Sequence, residues 1–367
     1  MEKNNFEEWF LRQLVDAFYD ARKGKRRTRD EYNFEVYWLE NLMQLRDDIM
    51  NRRYKPSRGI AFITRRPVIR EIFAAPFRDR IVHHFLFDQS AEWWDRRFSY
   101  DSYSCRKGKG TLFGIERLKH HICSVSQNYT KPAYVIKLDI QGYFMSLKRK
   151  ELYKKIKWGI DQQFRDNKAR RDLLLYLWRE IIFDDPIKGV KRRGSIKDWD
   201  DLPANKSLFC QPPGQGIVIG NLSSQLLSNI YLDQLDRFMQ FELGYKHYGR
   251  YVDDFYYIVS EEELEKAKCD IEKIRCFLKK IGLTLHPKKV HIQEVKKGVE
   301  FLGVVIYPHR TVMGKRFKRN FYRAAEEVAA GKRDLDSAIS YLGHSKHFNG
   351  KRLASRVFER VGWRYQF

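Results

Sequence analysis

Hydrophobic positions along this chain recur with two periods. Over residues 6–21, Trp9, Phe10, Leu14, Ala17, Phe18 and Ala21 stand at helical spacing with polar residues between them, which predicts an amphipathic helix. A second such helix is expected over about 34–52, with Pro56 and Gly59 closing the section. The pattern then shortens to strand-like pieces, "IAFIT" and "PVIREIFAAPF", before amphipathic stretches at about 80–97 and 111–127. "AYVIKLDI", Ala133–Ile140, is an apolar run of strand length that ends on an acidic residue. Helical spacing resumes over about 148–182, and the polar, turn-rich Asp184–Ser207 reads as a long surface loop. The glycine-punctuated "PPGQGIVIGN" leads into an apolar helix over about Leu222–Phe238. A hairpin follows, "YKHYGRYV" and "FYYIVS" around Asp253 and Asp254. A charged helix over about 261–280, a short strand and turn in "LTLHPKKVHI", a strand in "VEFLGVVIY" and a basic helical tail from Lys315 complete the pattern. No repeat, low-complexity tract or Pro/Gly linker interrupts it, so the elements interleave in one α+β body.

Composition narrows the class. Hydrophobic residues are 43% and aromatic residues 15% of the 367, enough for a substantial core and too many for a disordered chain. The 71 Lys and Arg outnumber the 47 Asp and Glu, a net charge of +24. A surplus of that size points to a polyanionic partner, nucleic acid above all, with a merely solubilising surface as the plain alternative. Its densest run is Arg22–Arg29, "RKGKRRTR", suited to phosphate. The 5 cysteines show neither a CxxC pair nor zinc-ligand spacing, which suits a reducing compartment. With no signal-peptide pattern and no 18-residue apolar run, the expectation is a cytoplasmic protein with no membrane association.

The chemistry lies in three carboxylates. Asp139 ends one apolar strand, and Asp253 and Asp254 sit at the tip of an apolar hairpin. If the two strands are neighbours, the three charges converge, and mutual repulsion raises their pKa values unless a cation intervenes. Mg²⁺ or Mn²⁺ prefers such oxygen ligands, and two ions would clamp an in-line phosphoryl displacement. An adjacent aspartate pair is often only a solvated turn, as at Asp184–Asp185 and Asp200–Asp201, beside proline or in polar sequence. Asp253–Asp254 differs in being flanked on both sides by "RYV" and "FYYIV".

These residues carry a resemblance. "YVDD" is similar to the catalytic signature of reverse transcriptases, and "KLDIQGYFMSL" to their first palm motif. "IGNLSSQ", "LTLHPKKV" and "VEFLGVVIY" resemble the other palm motifs, and "VIREIFAAPFRDRIVHH" resembles the fingers motif of group II intron and bacterial retroelement enzymes. The motifs fall in the family's order across roughly 60–310. Within the family, Ile219 stands where most members carry Gln, and Gln225 follows Ser224 where most carry Pro; that form resembles the enzymes of diversity-generating retroelements. The basic N-terminal "ARKGKRR" and the C-terminal "SAISYLGHSKHF" also look like that group. An ordinary-fidelity enzyme of the group II intron or abortive-infection type is the alternative, and a non-catalytic RNA-binding scaffold is the alternative of another class.

The resemblance implies a right-hand polymerase fold with fingers, an antiparallel-sheet palm and a short helical thumb. Its parts would be a basic helical segment at 1–55, fingers at 56–130, palm at 131–310 with an insertion at about 148–213, and thumb at 311–367. It implies two Mg²⁺ ions (Mn²⁺ possible) on Asp139, Asp253, Asp254 and the carbonyl of Ile140. Arg70 would grip the incoming triphosphate, Phe144 would exclude a ribose 2′-hydroxyl, and Ile219, Gly220 and Gln225 would face the nascent pair. Each has a plainer reading: surface arginine, core aromatic, strand residue before a turn, helix cap. Lys289 matches the candidate general acid for pyrophosphate, or is a surface lysine like Lys288. Arg106, Lys107 and Lys109, with Lys315, Lys318 and Arg319, would touch nucleic-acid backbone. Partners implied are a template-repeat RNA, the cDNA and its primer, dNTPs and a pentameric barrel-shaped accessory variability protein, in a bacterial or phage-encoded setting.

Overall fold

The computed structural model describes residues 3–23, 28–66 and 68–363. Most of the basic run "KGKRR" lies outside the described residues. In chain order the first elements are α1 (Lys3–Arg22), α2 (Arg29–Val36), α3 (Trp38–Met50), β1 (Ile60–Thr64), β2 (Arg70–Ala74), α4 (Phe77–Asp95), α5 (Thr111–Val125) and β3 (Ala133–Ile140). Then come α6 (Tyr143–Ser146), α7 (Arg149–Gln163), α8 (Lys168–Phe183), β4 (Lys191–Arg192), α9 (Leu222–Arg237), β5 (Tyr248–Tyr251), β6 (Asp254–Ser260) and α10 (Leu264–Lys280). The last are β7 (Leu285–Glu294), β8 (Val299–Phe301), β9 (Val304–Tyr307), β10 (Arg310–Met313), α11 (Lys315–Ala329), α12 (Asp336–Ser345) and α13 (Lys351–Arg360). Among the described residues no helix is long and apolar enough to cross a membrane. The chain forms two compact units of interleaved sequence. One takes the residues up to Cys105 with Ile140–Glu242 and Ile274–His286; the other takes Arg106–Asp139, Leu243–Lys273 and the residues from Pro287 onward.

In the first unit the α1 stripe is buried as its spacing requires, Phe10, Leu14 and Ala17 being fully inaccessible, and Phe10 meets Phe85 of α4 with ring centroids 5.3 Å apart. The expected helix at 34–52 is two helices. A capping box of Thr28 and Glu31 starts α2 early, and Tyr37 (φ −124°, ψ 45°) breaks the chain before α3. The Asn41 side-chain amide donates to the Phe34 carbonyl at 3.1 Å and satisfies the end left by that break. The 148–182 stretch likewise splits, and the Asn167 side chain caps α8 by accepting from the Arg170 N–H at 3.1 Å.

The Asp184–Ser207 segment departs from its reading as a loose surface loop. Its β4 runs parallel to β1 in a β2-β1-β4 sheet, with Ile60 opposite Lys191. Glu71 of β2, fully buried, accepts from Trp199 Nε1–H at 2.7 Å, Ser207 Oγ–H at 2.9 Å and the Leu208 N–H at 2.6 Å. A buried carboxylate needs such donors, so the polar segment is ordered by a charge it alone can satisfy. Leu208 then joins Ala61, Phe73 and Met145 in an apolar cluster.

The second unit is built on a sheet of order β5-β6-β3-β7. β3 and β6 are antiparallel from Ala133↔Ser260 to Asp139↔Asp254, and the expected β5–β6 hairpin is present. Two expectations are corrected. "HPKK" is no turn but the inside of the ten-residue β7. That strand lies at the sheet edge, where Pro287 costs no ladder bond on the open side. "VEFLGVVIY" is two strands, because Leu302 (φ 48°) and Gly303 (φ 87°) make a two-residue turn with Phe301 paired to Val304. Apolar residues on both flanks hid that turn. β9 also pairs with β10, and α11–α13 pack around Phe321, Ala325, Ala354, Val357 and Phe358.

Truncation of the buried carboxylate tests the order of the 184–208 segment. Glu71→Ala is expected to lower unfolding stability by about 3 kcal/mol, since three buried donors lose their acceptor. Glu71→Gln, which keeps one acceptor oxygen, is expected to lose less, both read from urea midpoints.

Candidate active site

The β3–β6 register decides where the carboxylates lie. Asp139 and Asp254 are directly opposed residues of an antiparallel ladder, so their side chains leave the same face. The strand period of two puts Lys137 on that face as well. Asp253 sits in the two-residue turn that joins Tyr251 to Asp254. Its neighbour Val252 has φ 57°, a left-handed value that β-branched residues avoid. A hairpin turn with positive φ at its first central position normally takes glycine, and a valine there stores about 1–3 kcal/mol. Arg250, fully buried, donates through an Nη to the Val252 carbonyl at 3.1 Å and helps to hold the turn.

The electrostatics follow from this crowding. Burial, then the charge of Asp139 and after it that of Asp254, push the Asp253 carboxyl up to about 6, with Lys289 pulling weakly the other way. Burial also raises Asp254; Asp139 adds to the rise while Lys137, Lys289 and His291 oppose it. Lys289 of β7 donates from Nζ to Asp139 Oδ2 at 2.8 Å, and Lys137 donates to the Glu300 carbonyl at 2.6 Å. As these side chains stand, no three His, Cys, Asp or Glu among the described residues are grouped to hold one ion; the cation on Asp139 is the lysine. The expected convergence is therefore a convergence of strand register and charge, short of a closed ligand cage. The donors fit a hard divalent ion in kind, being oxygen only, with Asp253 and Asp254 held above the usual carboxylate range in the way a dication would reverse. Ile140 is the buried last residue of β3.

The first unit brings together Phe144, Ile219 and Gly220. Phe144 and Ile219 pack on the Ala61–Phe73–Met145–Leu208 cluster. The Phe73 N–H donates to the Ile219 carbonyl at 2.9 Å, and the Ile217 N–H donates to the Phe144 carbonyl at 3.0 Å. Gly220 (φ 133°) is required there, since a Cβ would lie 2.6 Å from the Phe73 oxygen. Arg70 opens β2 and is exposed. Gln225 is exposed in the first turn of α9; Asn221 holds the N-cap position, so the cap reading of Gln225 falls. Nothing in residue spacing marks Arg149, whose buried guanidinium donates from Nε to the Gly216 carbonyl at 2.8 Å and from an Nη to the Asp184 carbonyl. Arg250 and Glu71 were equally silent, because a lone charge in an apolar strand looks the same whether it faces water or the core. Lys137 was legible two residues before Asp139.

In the second unit Arg106, Lys107 and Lys109 occupy the turn before α5, with Lys109 5.3 Å from the Phe113 ring centroid. Lys315, Lys318 and Arg319 are exposed on α11, whose other face buries Phe321 and rests Phe317 on the same cluster.

The raised carboxyl makes a signed prediction. Asp253 binds its proton more tightly in the folded state than in the unfolded one, so its contribution to stability is present at low pH and lost as pH rises from about 4 through about 6. Asp253→Asn is expected to raise stability by about 1–2 kcal/mol at pH 7.5 and to leave it unchanged near pH 3.5, in denaturation midpoints at the two pH values.

Comparisons with known proteins identify the family and the fold. The family described as reverse transcriptase (RNA-dependent DNA polymerase) matches residues 69–306, well over half of the chain. Protein YkfC of Escherichia coli K12 is 23% identical over 313 residues, 75% of this chain and 73% of that protein. Apo telomerase from Candida tropicalis superposes with a TM-score of 0.50 at 14% identity, over 79% of this chain and 52% of that one. Telomerase from Candida albicans, in complex with a fragment of telomeric RNA, gives 0.51 at 13% identity, over 85% of this chain and 57% of that one. The chain thus spans little more than half the length of those telomerases, and at such identity the likeness shows the fold alone. That fold is the expected α+β right hand with fingers, antiparallel-sheet palm and short helical thumb. On the family match, the chain belongs to the reverse transcriptases.

Proposed function

We propose that this reverse transcriptase is the error-prone polymerase of a diversity-generating retroelement, copying a template-repeat RNA into cDNA with errors concentrated at template adenines for mutagenic retrohoming. The observation that carries the reading is Ile219. Where most relatives offer a glutamine, this chain presents a branched aliphatic side chain on the apolar cluster beside Phe144, with its carbonyl held by Phe73. An apolar wall discriminates shapes weakly, whereas a hydrogen-bonding group penalises the partner that leaves it unpaired. Ile219 therefore offers a mispair less opposition than a polar residue would.

The roles of the other residues follow from their placement. Asp139, Asp253, Asp254 and the carbonyl of Ile140 would hold two Mg²⁺ ions, with Mn²⁺ as substitute. Bound there, the metal supplies charge stabilisation at the attacking and leaving oxygens of an in-line phosphoryl displacement. Arg70, exposed at the start of β2, grips the triphosphate with its fork of donors. Phe144 excludes the ribose 2′-hydroxyl by bulk, Gly220 lets the main chain approach the substrate, and Gln225 lies under the nascent pair. Lys289, resting on Asp139 at 2.8 Å, protonates the departing pyrophosphate. Arg106, Lys107 and Lys109 contact template backbone, and Lys315, Lys318 and Arg319 of α11 line the product groove. In this reading 1–55 is a basic helical segment, 56–130 the fingers, 131–310 the palm and 311–367 the thumb. The partners are the template-repeat RNA, the primer and its cDNA, dNTPs and a pentameric accessory variability protein, in a cytoplasmic setting, bacterial or phage-encoded.

Primer extension on an RNA template containing all four bases, with dNTPs and Mg²⁺ and the cognate RNA and accessory protein added, tests the assignment. Sequenced products are expected to carry errors opposite template adenines, Asp253→Asn to make no product, and Ile219→Gln to lower the adenine error rate by roughly tenfold. Products with a low error rate spread evenly over the four bases would instead identify an ordinary enzyme of the group II intron type.

A further inference from the structure

In the first unit, apart from every residue assigned above, helices α4, α7 and α9 and the end of α10 border a cavity of about 760 Å³ that is open to solvent. That lies within the size range of small-molecule sites. It is lined by six Lys and Arg and only two acidic residues. Lys154 is taken by Glu151 at 2.9 Å and Arg237 by Asp233 at 2.8 Å, which leaves Arg97, Lys148, Lys155 and Lys280 in surplus. Lys155 is half-buried, and that burial is the main influence holding its ammonium below the usual range. Lys148 passes close to the backbone of Gly282, where a Cβ would lie 2.5 Å from its Cε, so only a bare residue leaves it room, and Lys280 lines the same cavity.

The wall beside these cations is aromatic. Trp158 is 52% exposed, and its indole leans on Trp93 at 5.7 Å and Trp94 at 6.0 Å between centroids. Gly159 permits that approach, since a Cβ there would lie 2.5 Å from the Trp94 ring. Trp94 is itself buried, with an Nε1–H that has no hydrogen-bond partner. Arg97 caps the group, its guanidinium 3.4 Å from the Trp93 centroid. A propped indole with an open face next to unpaired ammonium groups in a concavity suits a ring and a phosphate together. It is a poor match for an acidic peptide, which offers carboxylates and no matching ring.

We propose that this cavity is a second nucleotide-binding site, stacking one base on Trp158 and holding its phosphates among Lys148, Lys155 and Lys280. It lies away from the assigned nucleotide site: on α9, Gln234 of the lining is nine residues, about 14 Å, beyond Gln225. The nucleotide belongs to a single strand of RNA or DNA, or is free.

The test uses the full chain with Asp253→Asn, saturated with an RNA-template/DNA-primer duplex so that the polymerase site is filled. Labelled ten-nucleotide single strands of RNA and of DNA are then titrated by anisotropy, with free dATP as competitor. One further binding event per chain is expected. Trp158→Ala should weaken it roughly tenfold and Trp158→Phe should restore most of that loss. Lys148→Glu with Lys280→Glu should weaken it further and flatten the salt dependence by roughly 0.7 per lost phosphate contact. Tighter binding of RNA, tighter binding of DNA, or full displacement by dATP identifies the source, and each supports the site. A titration with no second event, or one unchanged in all three variants, overturns the proposal. Trp158, Lys148 and Lys280 are exposed, so the variants are expected to keep the parent circular dichroism and, with Asp253 intact, the parent primer extension. Because binding is read without catalysis, failure here is separate from failure of the polymerase reading.

Discussion

The second unit depends on one unfavourable pairing. The β3–β6 ladder sets Asp139 against Asp254 and places Asp253 on the turn beside them, three carboxylates where like charges oppose each other. Nothing in sheet physics favours this; the rest of the unit compensates for it. Seven consecutive register pairs lock the two strands, Leu138, Tyr256 and Phe255 are buried in the core, and Lys137 and Lys289 bring positive charge to the face. The turn is bent further, through a valine at φ 57°. Strain and repulsion are concentrated in one short stretch, at the expense of stability.

The same logic operates in reverse at Glu71. There a buried charge organises its surroundings, because the three donors that satisfy it come from the polar Asp184–Leu208 segment. Tying that segment to β2 completes the apolar cluster on which Phe144 and Ile219 rest, and Arg149 holds the irregular segment leading to Ile219 through the Gly216 carbonyl. Phe144 and Ile219 are thus supported by two buried charges, Glu71 and Arg149. Positioning by such groups is what keeps a first layer of contacts from relaxing.

Much of the site was legible in the residues. An acidic pair inside an apolar hairpin, with a third acid ending an apolar strand, has few structural explanations, and the motif order made the family plain before any coordinate. The strands Ala133–Ile140 and Asp254–Ser260 and the helix Leu222–Arg237 fell close to where periodicity put them, because each has one buried stripe or face. Reading failed where tertiary context overrode local signals: Pro287 inside an edge strand, the turn at Leu302–Gly303 between apolar flanks, and the helix break at Tyr37.

The sequence by itself determined the kind of chemistry, the order of the elements and the strongly basic surface, since these follow from residue type and spacing. Tertiary structure alone decided which charges face each other. That Lys289 rests on Asp139, that Glu71 gathers a distant segment and that Trp158 stands propped over a basic cavity are all long-range pairings. Burial and partner set the meaning of a charged side chain, and neither is a property of the residue's neighbours in sequence.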